Sequence, residues 1–209
     1  GTPVSALLAL PGDALAIGTF GAGLWISDSL GGGVSGMRRM AIDGNGTRPV
    51  ASSAVDVLAR DRYGGSRTVI GNCLGTLDPL HAWIHLDDKL LQALPEVVKE
   101  RITFVEEDRH RRLWIGTWDH GILRCDLDGS HMERLGTMRH AEVSMPVNSM
   151  ICCLIASNGD VWVGMNGGGG LARFPADGSA PTFYGNGAGD TGLGNAVVGC
   201  LAEGECGAM

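Results

Sequence analysis

One five-residue phrase recurs four times along this chain and constrains its fold more than any other feature. The best copy is Leu113–Thr117, which reads LWIGT, and worn copies surround Gly18, Gly71 and Gly164. From the first copy to the last, the phrase glycines are 53, 45 and 48 residues apart. A repeat of this period can hold four short strands, but one such unit cannot bury its own apolar faces. The pattern therefore predicts an array of packed repeats.

The residues around each copy indicate the same repeat unit. A run rich in β-formers precedes the phrase and is separated from it by a polar turn, as at 107–110 and 157–160. A glycine-rich link and a new apolar run follow in three copies, and Asp-Gly turns come later at 128–129 and 177–178. Asp-Gly favours the positive φ of a tight hairpin. Four strands joined by such turns form one propeller blade, so we predict an all-β chain with a β-propeller fold.

Domain boundaries follow from the repeat. We predict one partial β-propeller over residues 1–209, with repeats near 4–50, 51–100, 101–146 and 147–192 and a stub at 193–209. Each blade should hold four antiparallel strands. The stub resembles the start of a fifth blade, because 192–201 parallels 145–151. We therefore expect a fragment of a larger propeller of roughly seven blades rather than a closed four-bladed ring. Unpaired strands at both ends should make the isolated chain marginally stable or self-associating.

These residues resemble the two-component regulator propeller repeat. Its hallmark is an acidic-glycine turn, then Leu-Trp-Ile-Gly-Thr, then a glycine-rich link to an apolar strand. The third and fourth copies are the most similar, whereas the first lacks the tryptophan before Ile17 and the second has lost the threonine. The resemblance covers nearly the whole chain. It implies a bacterial sensor in the periplasmic, extracytoplasmic part of an inner-membrane protein, coupled to a histidine kinase or a diguanylate cyclase, with the full-length receptor able to form a homodimer. The signal and membrane segments, like the output domain, would lie outside this sequence.

Composition and motifs narrow the function further. The formal net charge is −7 and no run of lysine or arginine is present, which argues against nucleic acid. No apolar run approaches the ~18 residues that span a bilayer. The sequence contains no nucleophile elbow, zinc-protease motif or phosphate loop, so we predict no catalytic residue, no metal and no cofactor. The stretch 126–129 begins like a calcium loop, but Thr137 stands where its closing glutamate belongs.

The cysteines leave two alternatives open. They show no metal-ligand spacing, and they are Cys73, Cys125, Cys152, Cys153, Cys200 and Cys206. An oxidising compartment would permit a bridge from Cys152 or Cys153 to Cys200. The other interpretation, which we favour, is that they are small apolar side chains in the core.

A ligand should bind where the links between second and third strands share a face with the connections between blades. We expect aromatic, amide, carboxylate and imidazole groups there to suit a small molecule or an oligosaccharide. The predicted binding residues are Phe20, Asn72, Trp118, Asp119, His120, Asn148, Asn166 and Asn195. Trp118 could instead pack between blades. The tryptophans of the phrase itself, Trp114 and Trp162, are predicted to lie in the core.

Three functional classes remain open at this point. The first is a ligand-sensing module that is not itself catalytic. The second is a secreted propeller enzyme or lyase that acts on carbohydrate, in which charged link residues do the chemistry. The third is a platform for protein interactions, which shares the fold because a fold alone does not determine function.

Overall fold

The computed structural model describes residues 1–27, 36–42, 54–60, 65–70, 73–79, 81, 83–95, 102–136, 143–185, 193 and 197–204. The chain divides into two compact units, Gly1–Glu100 and Arg101–Met209. Among the described residues of each unit, two successive antiparallel sheets follow one another along the chain.

The first unit contains nine strands and one short helix in its described part. Its first sheet has the order β1-β2-β3-β4, formed by Val4–Ala9, Leu15–Thr19, Leu24–Ser27 and Met37–Arg39. The second sheet runs β6-β7-β8-β9 through Val55–Arg60, Ser66–Ile70, Cys73–Asp78 and Trp83–Leu86, and the two-residue strand β5 (Ala41–Ile42) joins β9 in parallel. Helix α1 (Asp88–Ala93) begins after Asp87, whose carboxylate accepts a hydrogen bond from the Leu90 amide.

The second unit repeats the arrangement. Its first sheet has the order β10-β11-β12-β13, formed by Ile102–Glu107, Arg112–Thr117, Ile122–Asp126 and Glu133–Gly136, with β14 (Val143–Ser144) parallel to β13. The next sheet runs β15-β16-β17-β18 through Met150–Ile155, Val161–Met165, Leu171–Phe174 and Thr182–Tyr184. Beyond these strands, the segment 197–204 contacts the last sheet. The Val198 amide donates a hydrogen bond to the Met165 carbonyl at 3.2 Å.

The described residues of the recurring phrase lie on the second strand of every sheet, and its glycine has a packing role at Gly116 and Gly164. The first strand shifts register opposite this glycine in three sheets, for example between Ile102 and Phe104. In the sheet that contains β7 the shift lies opposite Val69 and Ile70, and Gly71 lies outside the described residues. A β-carbon on Gly116 would lie 2.1 Å from the Phe104 ring, and one on Gly164 would lie 2.5 Å from the Cys152 sulfur. The glycine is therefore required because a side chain of the bulged first strand occupies the space above it.

The core of the second unit lies between its two sheets. Trp114 is 1% exposed and packs its ring edge-on against Phe174, with 5.0 Å between the ring centroids. Trp162 occupies the same strand position in the next sheet, since each tryptophan pairs with an arginine of the third strand, Arg124 or Arg173. Trp162 is nevertheless only half-buried and stacks on Tyr184. The core prediction is therefore confirmed for Trp114 and too strong for Trp162, because Trp162 faces away from the cluster that covers Trp114.

These sheets confirm the predicted fold class. The chain is all-β, with four antiparallel sheets whose strands follow sequence order as in the blades of a β-propeller. No helix among the described residues is long and apolar enough to cross a membrane.

Candidate functional site

The link between the second and third strands is held by the threonine that ends the phrase. In the second unit, the Thr117 hydroxyl donates to the Gly121 carbonyl at 2.8 Å and accepts from the His120 amide at 2.9 Å. Thr19 makes the same pair of hydrogen bonds in the first unit, to the Gly23 carbonyl and from the Ala22 amide. The threonine is thus a structural clamp that fixes the link. The sequence contained this signal, a threonine four residues before a glycine, but gave no indication of its role.

The aromatic side chain that follows the clamping threonine is exposed in both units. Trp118 is 46% exposed, and Phe20 at the same link position of the first unit is 61% exposed. The Asp119 carboxylate lies 2.5 Å from Nδ1 of His120, so these neighbours do face each other. The Trp118 side chain is therefore accessible rather than buried among the described residues of the second unit.

The structure brings five of the predicted residues onto one surface of the second unit. The Asn148 carbonyl accepts from the Gly121 amide at 2.9 Å, and the Asn166 amide donates to the Ser149 carbonyl at 2.9 Å. We call this the link surface, formed by Trp118, Asp119, His120, Asn148 and Asn166. Phe20 belongs to the first unit. Asn72 and Asn195 lie outside the described residues.

A second feature, which the sequence did not predict, lies at the opposite ends of the same strands. A cleft of about 480 Å³ opens between the turn after β10, the turn after β15 and the turn after β17. We call it the turn cleft, and its walls include His110, Arg112, Trp114, Phe174, Pro175 and Asp177. Its volume falls within the range of small-molecule sites.

Asp108 organises one wall of the turn cleft. Its carboxylate accepts hydrogen bonds from the Trp114 indole at 2.9 Å, from Nε of Arg112 at 3.3 Å, and from the backbone amides of His110 and Arg112 at 2.9 and 3.0 Å. Burial acts to raise the pKa of Asp108, but these hydrogen bonds and the Arg112 charge outweigh it and hold the pKa below its ordinary value. Asp108 is therefore an ionised group that positions Arg112 and Trp114.

The other arginine of the cleft, Arg124, is paired with Glu133 through both Nε and a terminal Nη atom. Arg124 lies over the Trp114 ring at 5.1 Å from its centroid, and its Nε donates to Glu133 at 2.6 Å. By contrast, none of the described residues hydrogen-bonds to the terminal Nη atoms of Arg112. The ring of His110 also has no hydrogen-bonding partner in the described part of the chain. The cleft therefore offers an arginine fork and an imidazole to a ligand.

One carboxyl group titrates unusually. Glu106 stands opposite Trp114 on β10, and burial raises its pKa to about 7. The pKa of Cys153 on β15 is far above its ordinary value, mainly because the thiol is buried and to a smaller extent because of the Glu106 charge. Burial likewise raises the pKa of Cys125 to about 11. These thiols are protonated at neutral pH, which makes them poor nucleophiles.

The interpretation of the cysteines as small apolar core residues holds for Cys125, whereas Cys152 and Cys153 are half-buried and Cys200 is exposed. Cys125 is buried, and Cys125, Cys152, Cys153 and Cys200 are free thiols. The Cys152 thiol donates to the Val198 carbonyl at 3.5 Å, so the bridge considered between Cys152 or Cys153 and Cys200 is not formed. Cys206 and the side chain of Cys73 lie outside the described residues.

The amino-acid sequence matches no protein-family model and no curated protein. Solved structures, however, share its fold. The extracellular domain of a protein described as a hybrid two-component system of B. thetaiotaomicron is 13% identical, with a TM-score of 0.62, over 88% of this chain and 23% of that one. Virginiamycin B lyase from Staphylococcus aureus with quinupristin is 13% identical, with a TM-score of 0.60, over 88% of this chain and 56% of the lyase. YCF48 from Cyanidioschyzon merolae is 14% identical, with a TM-score of 0.55, over 86% and 58%, and a further YCF48 structure holds the D1 peptide.

At these identities the likeness shows the fold alone. The chain spans about a quarter of the first of these proteins, 23%, and little more than half of the lyase, 56%. All three are propeller-like neighbours with different roles, so the role of this chain has to be argued from its own surfaces.

Proposed function

We propose that this chain is part of an extracytoplasmic, ligand-sensing propeller of a membrane-bound signalling receptor, and that it binds a small molecule or an oligosaccharide without transforming it. The observation that carries the proposal is the 46% exposure of Trp118 on a link clamped by Thr117. Because the backbone of the link is already held, little backbone freedom is lost on binding, which favours affinity. The likeness to extracellular domains of two-component proteins supports the same role.

The link surface has the groups that a sugar-like ligand needs. The Trp118 ring has a face on which a sugar can stack. The Asp119 carboxylate and the side-chain carboxamides of Asn148 and Asn166 are polar groups of the kind that bind sugar hydroxyls. As a sensor, the chain must convert binding into a bias between conformations of the intact receptor. Its output, a histidine kinase or a diguanylate cyclase, and its membrane anchor are part of this proposal.

A substitution pair tests the role of the link surface. We expect Trp118→Ala in the complete protein to weaken the ligand response about tenfold or more, equivalent to the ~1.4 kcal/mol of one stacking contact. The melting temperature should stay nearly unchanged, whereas Trp114→Ala should lower it strongly because Trp114 is 1% exposed. If both substitutions destabilise the fold equally, Trp118 is a packing residue and the link surface is not the binding site.

A lyase is the second candidate, and the contact between Asp119 and His120 favours it. A carboxylate 2.5 Å from an imidazole can orient it as a general base. Turnover of a bound carbohydrate by the purified protein, lost in His120→Asn, would support the lyase and contradict the sensor. A platform for protein interaction, the third class, predicts a peptide ligand on the same surface.

A further inference from the structure

We propose that the turn cleft of the second unit is a second binding site, and that its ligand is a small polyhydroxylated ring that carries a compact anionic group. The site lies at the ends of the strands opposite to the link surface, so the inference goes beyond the proposed function and does not depend on it. Its elements come from the turns around Arg112 on one sheet and around Asp177 on the next.

The anionic end of the ligand is assigned by Arg112. The Asp108 carboxylate takes up Nε of Arg112 at 3.3 Å and thereby fixes the direction of the guanidinium. The two terminal Nη atoms, which make no hydrogen bond to a described residue, form a planar pair of donors. Such a pair matches the two oxygens of a carboxylate or a phosphate, and a charge-assisted contact of this kind is about twice as strong as a neutral hydrogen bond.

Charge balance explains why one compact anion fits and a long polyanion does not. Asp108 is ionised and offsets part of the Arg112 charge, and Glu133 offsets Arg124. Asp177 on the opposite turn is also ionised, because hydrogen bonds from Ser179 lower its pKa. A second anionic group on the ligand would therefore meet carboxylates rather than donors.

The remainder of the cleft suits a hydroxylated ring. Asp177 can accept hydrogen bonds from hydroxyl groups, and Pro175 with Ala176 supplies a partly buried, less polar wall beside it. A cleft of about 480 Å³ is large enough for one sugar ring or two. The arrangement places anion donors on one sheet and a hydroxyl acceptor on the other, which is the complement of an acidic or phosphorylated sugar.

The test uses three probes that differ at one carbon. Ligand-detected saturation-transfer NMR on the intact protein would measure the dissociation constants of D-glucuronate, D-glucose 6-phosphate and D-glucose at constant ionic strength. We expect at least one anionic sugar to bind tenfold or more tightly than glucose, and the preferred anion then identifies carboxylate or phosphate as the group. Equal binding of all three sugars, or binding of none, would overturn the proposal.

Matched variants locate the site. We expect Arg112→Gln to weaken binding of the preferred sugar about tenfold or more, because the fork is lost. Arg109→Gln removes the same charge from the same turn, but Arg109 points to the Asn158 carbonyl, so less than about a twofold effect is expected. Equal effects of the two variants would mean non-specific attraction and would contradict the assignment.

Two further variants keep the result interpretable. If Arg112→Gln lowers the melting temperature, Arg112→Lys retains the charge near Asp108 without the planar fork, and binding should still weaken several-fold. Trp118→Ala should leave binding of these sugars unchanged. Loss of binding in Trp118→Ala but not in Arg112→Lys would assign the sugars to the link surface and would refute the cleft as their site.

Discussion

Asp108→Ala should be among the most destabilising polar substitutions in the second unit. Asp108 is 2% exposed, and it accepts from the Trp114 indole, which is itself buried, at 2.9 Å. Leaving that donor without a partner costs about 1–3 kcal/mol. The backbone amides of His110 and Arg112 lie on exposed or half-buried residues, so water can replace those bonds at about 0.5–1 kcal/mol each. We expect a total loss of about 2–4 kcal/mol in the free energy of unfolding.

Urea unfolding followed by tryptophan fluorescence measures this loss. Asp128→Ala is the matched control, because Asp128 is an exposed turn aspartate that accepts from Ser130 at 2.6 and 3.0 Å. We expect that control to cost less than about 1 kcal/mol. Trp114→Phe removes the indole donor, so in its background Asp108→Ala should cost about 1–2 kcal/mol less than in the natural chain. Equal losses for Asp108→Ala and Asp128→Ala would refute the account of the turn.

The same substitution should depend on pH in a defined direction. The pKa of Asp108 is lowered in the folded protein, so its carboxylate stabilises the fold fully above the unfolded value of about 3.9. That contribution is lost as the pH falls through the lowered pKa. The difference in stability between the natural chain and Asp108→Ala should therefore be constant from pH 5 to pH 8 and shrink in more acidic solution. A difference that grows on acidification would contradict the assigned protonation state.

Three other perturbations have expected outcomes. Glu106→Gln should raise the free energy of unfolding by about 1–3 kcal/mol at pH 8 but not at pH 4.5. The pKa of Glu106 is raised to about 7 in the folded protein, so the ionised carboxylate destabilises the fold at pH 8. A pH-independent effect in urea melts would contradict this. Gly116→Ala should lower the free energy of unfolding by about 2–4 kcal/mol, because the new side chain would clash with Phe104. Gly178→Ala should lower it by only about 1 kcal/mol, because only the positive φ opposes a side chain there. Similar denaturant midpoints for the two variants would contradict the packing role of Gly116. Thr117→Val should cost about 1–3 kcal/mol and increase amide exchange at residues 118–121, and unchanged exchange there would mean that the hydroxyl does not hold the link.

The repeat phrase predicted the fold because its physical requirements are local. The glycines at 116 and 164 can be recognised from their spacing alone. Their packing role follows from the bulged strand that pairs with them, which comes just before them in the sequence. The exposure of Trp118 was also within reach of the sequence, since a polar pair follows it in a glycine-bounded link. Whether Trp118 contacts a ligand stays a prediction.

The turn cleft could not be predicted, because its two walls are far apart in the sequence. Arg112 and Asp177 belong to turns of successive sheets, and only the packing of one sheet on the next makes them neighbours. Glu106 illustrates the same limit. In an alternating strand it reads as a solvated residue, yet the neighbouring strand β15 covers it enough to raise its pKa to about 7. Trp162 shows the converse, since it stands at the same place in a related phrase, yet its ring is half-buried and lies outside the cluster that covers Trp114.

Hydrogen–deuterium exchange with ligand present tests the central claim most directly. A sugar identified by thermal shift on the complete extracytoplasmic region, whose shift persists in Arg112→Gln, would be added at saturation, and the sugar would be recovered afterwards for mass analysis. A sensor that binds at the link surface predicts increased protection at residues 117–121 and 148–149, absence of that protection in Trp118→Ala, and a recovered sugar of unchanged mass. Protection elsewhere with none at these residues would contradict the assigned site, and a cleaved or altered sugar would contradict the sensor and establish an enzyme.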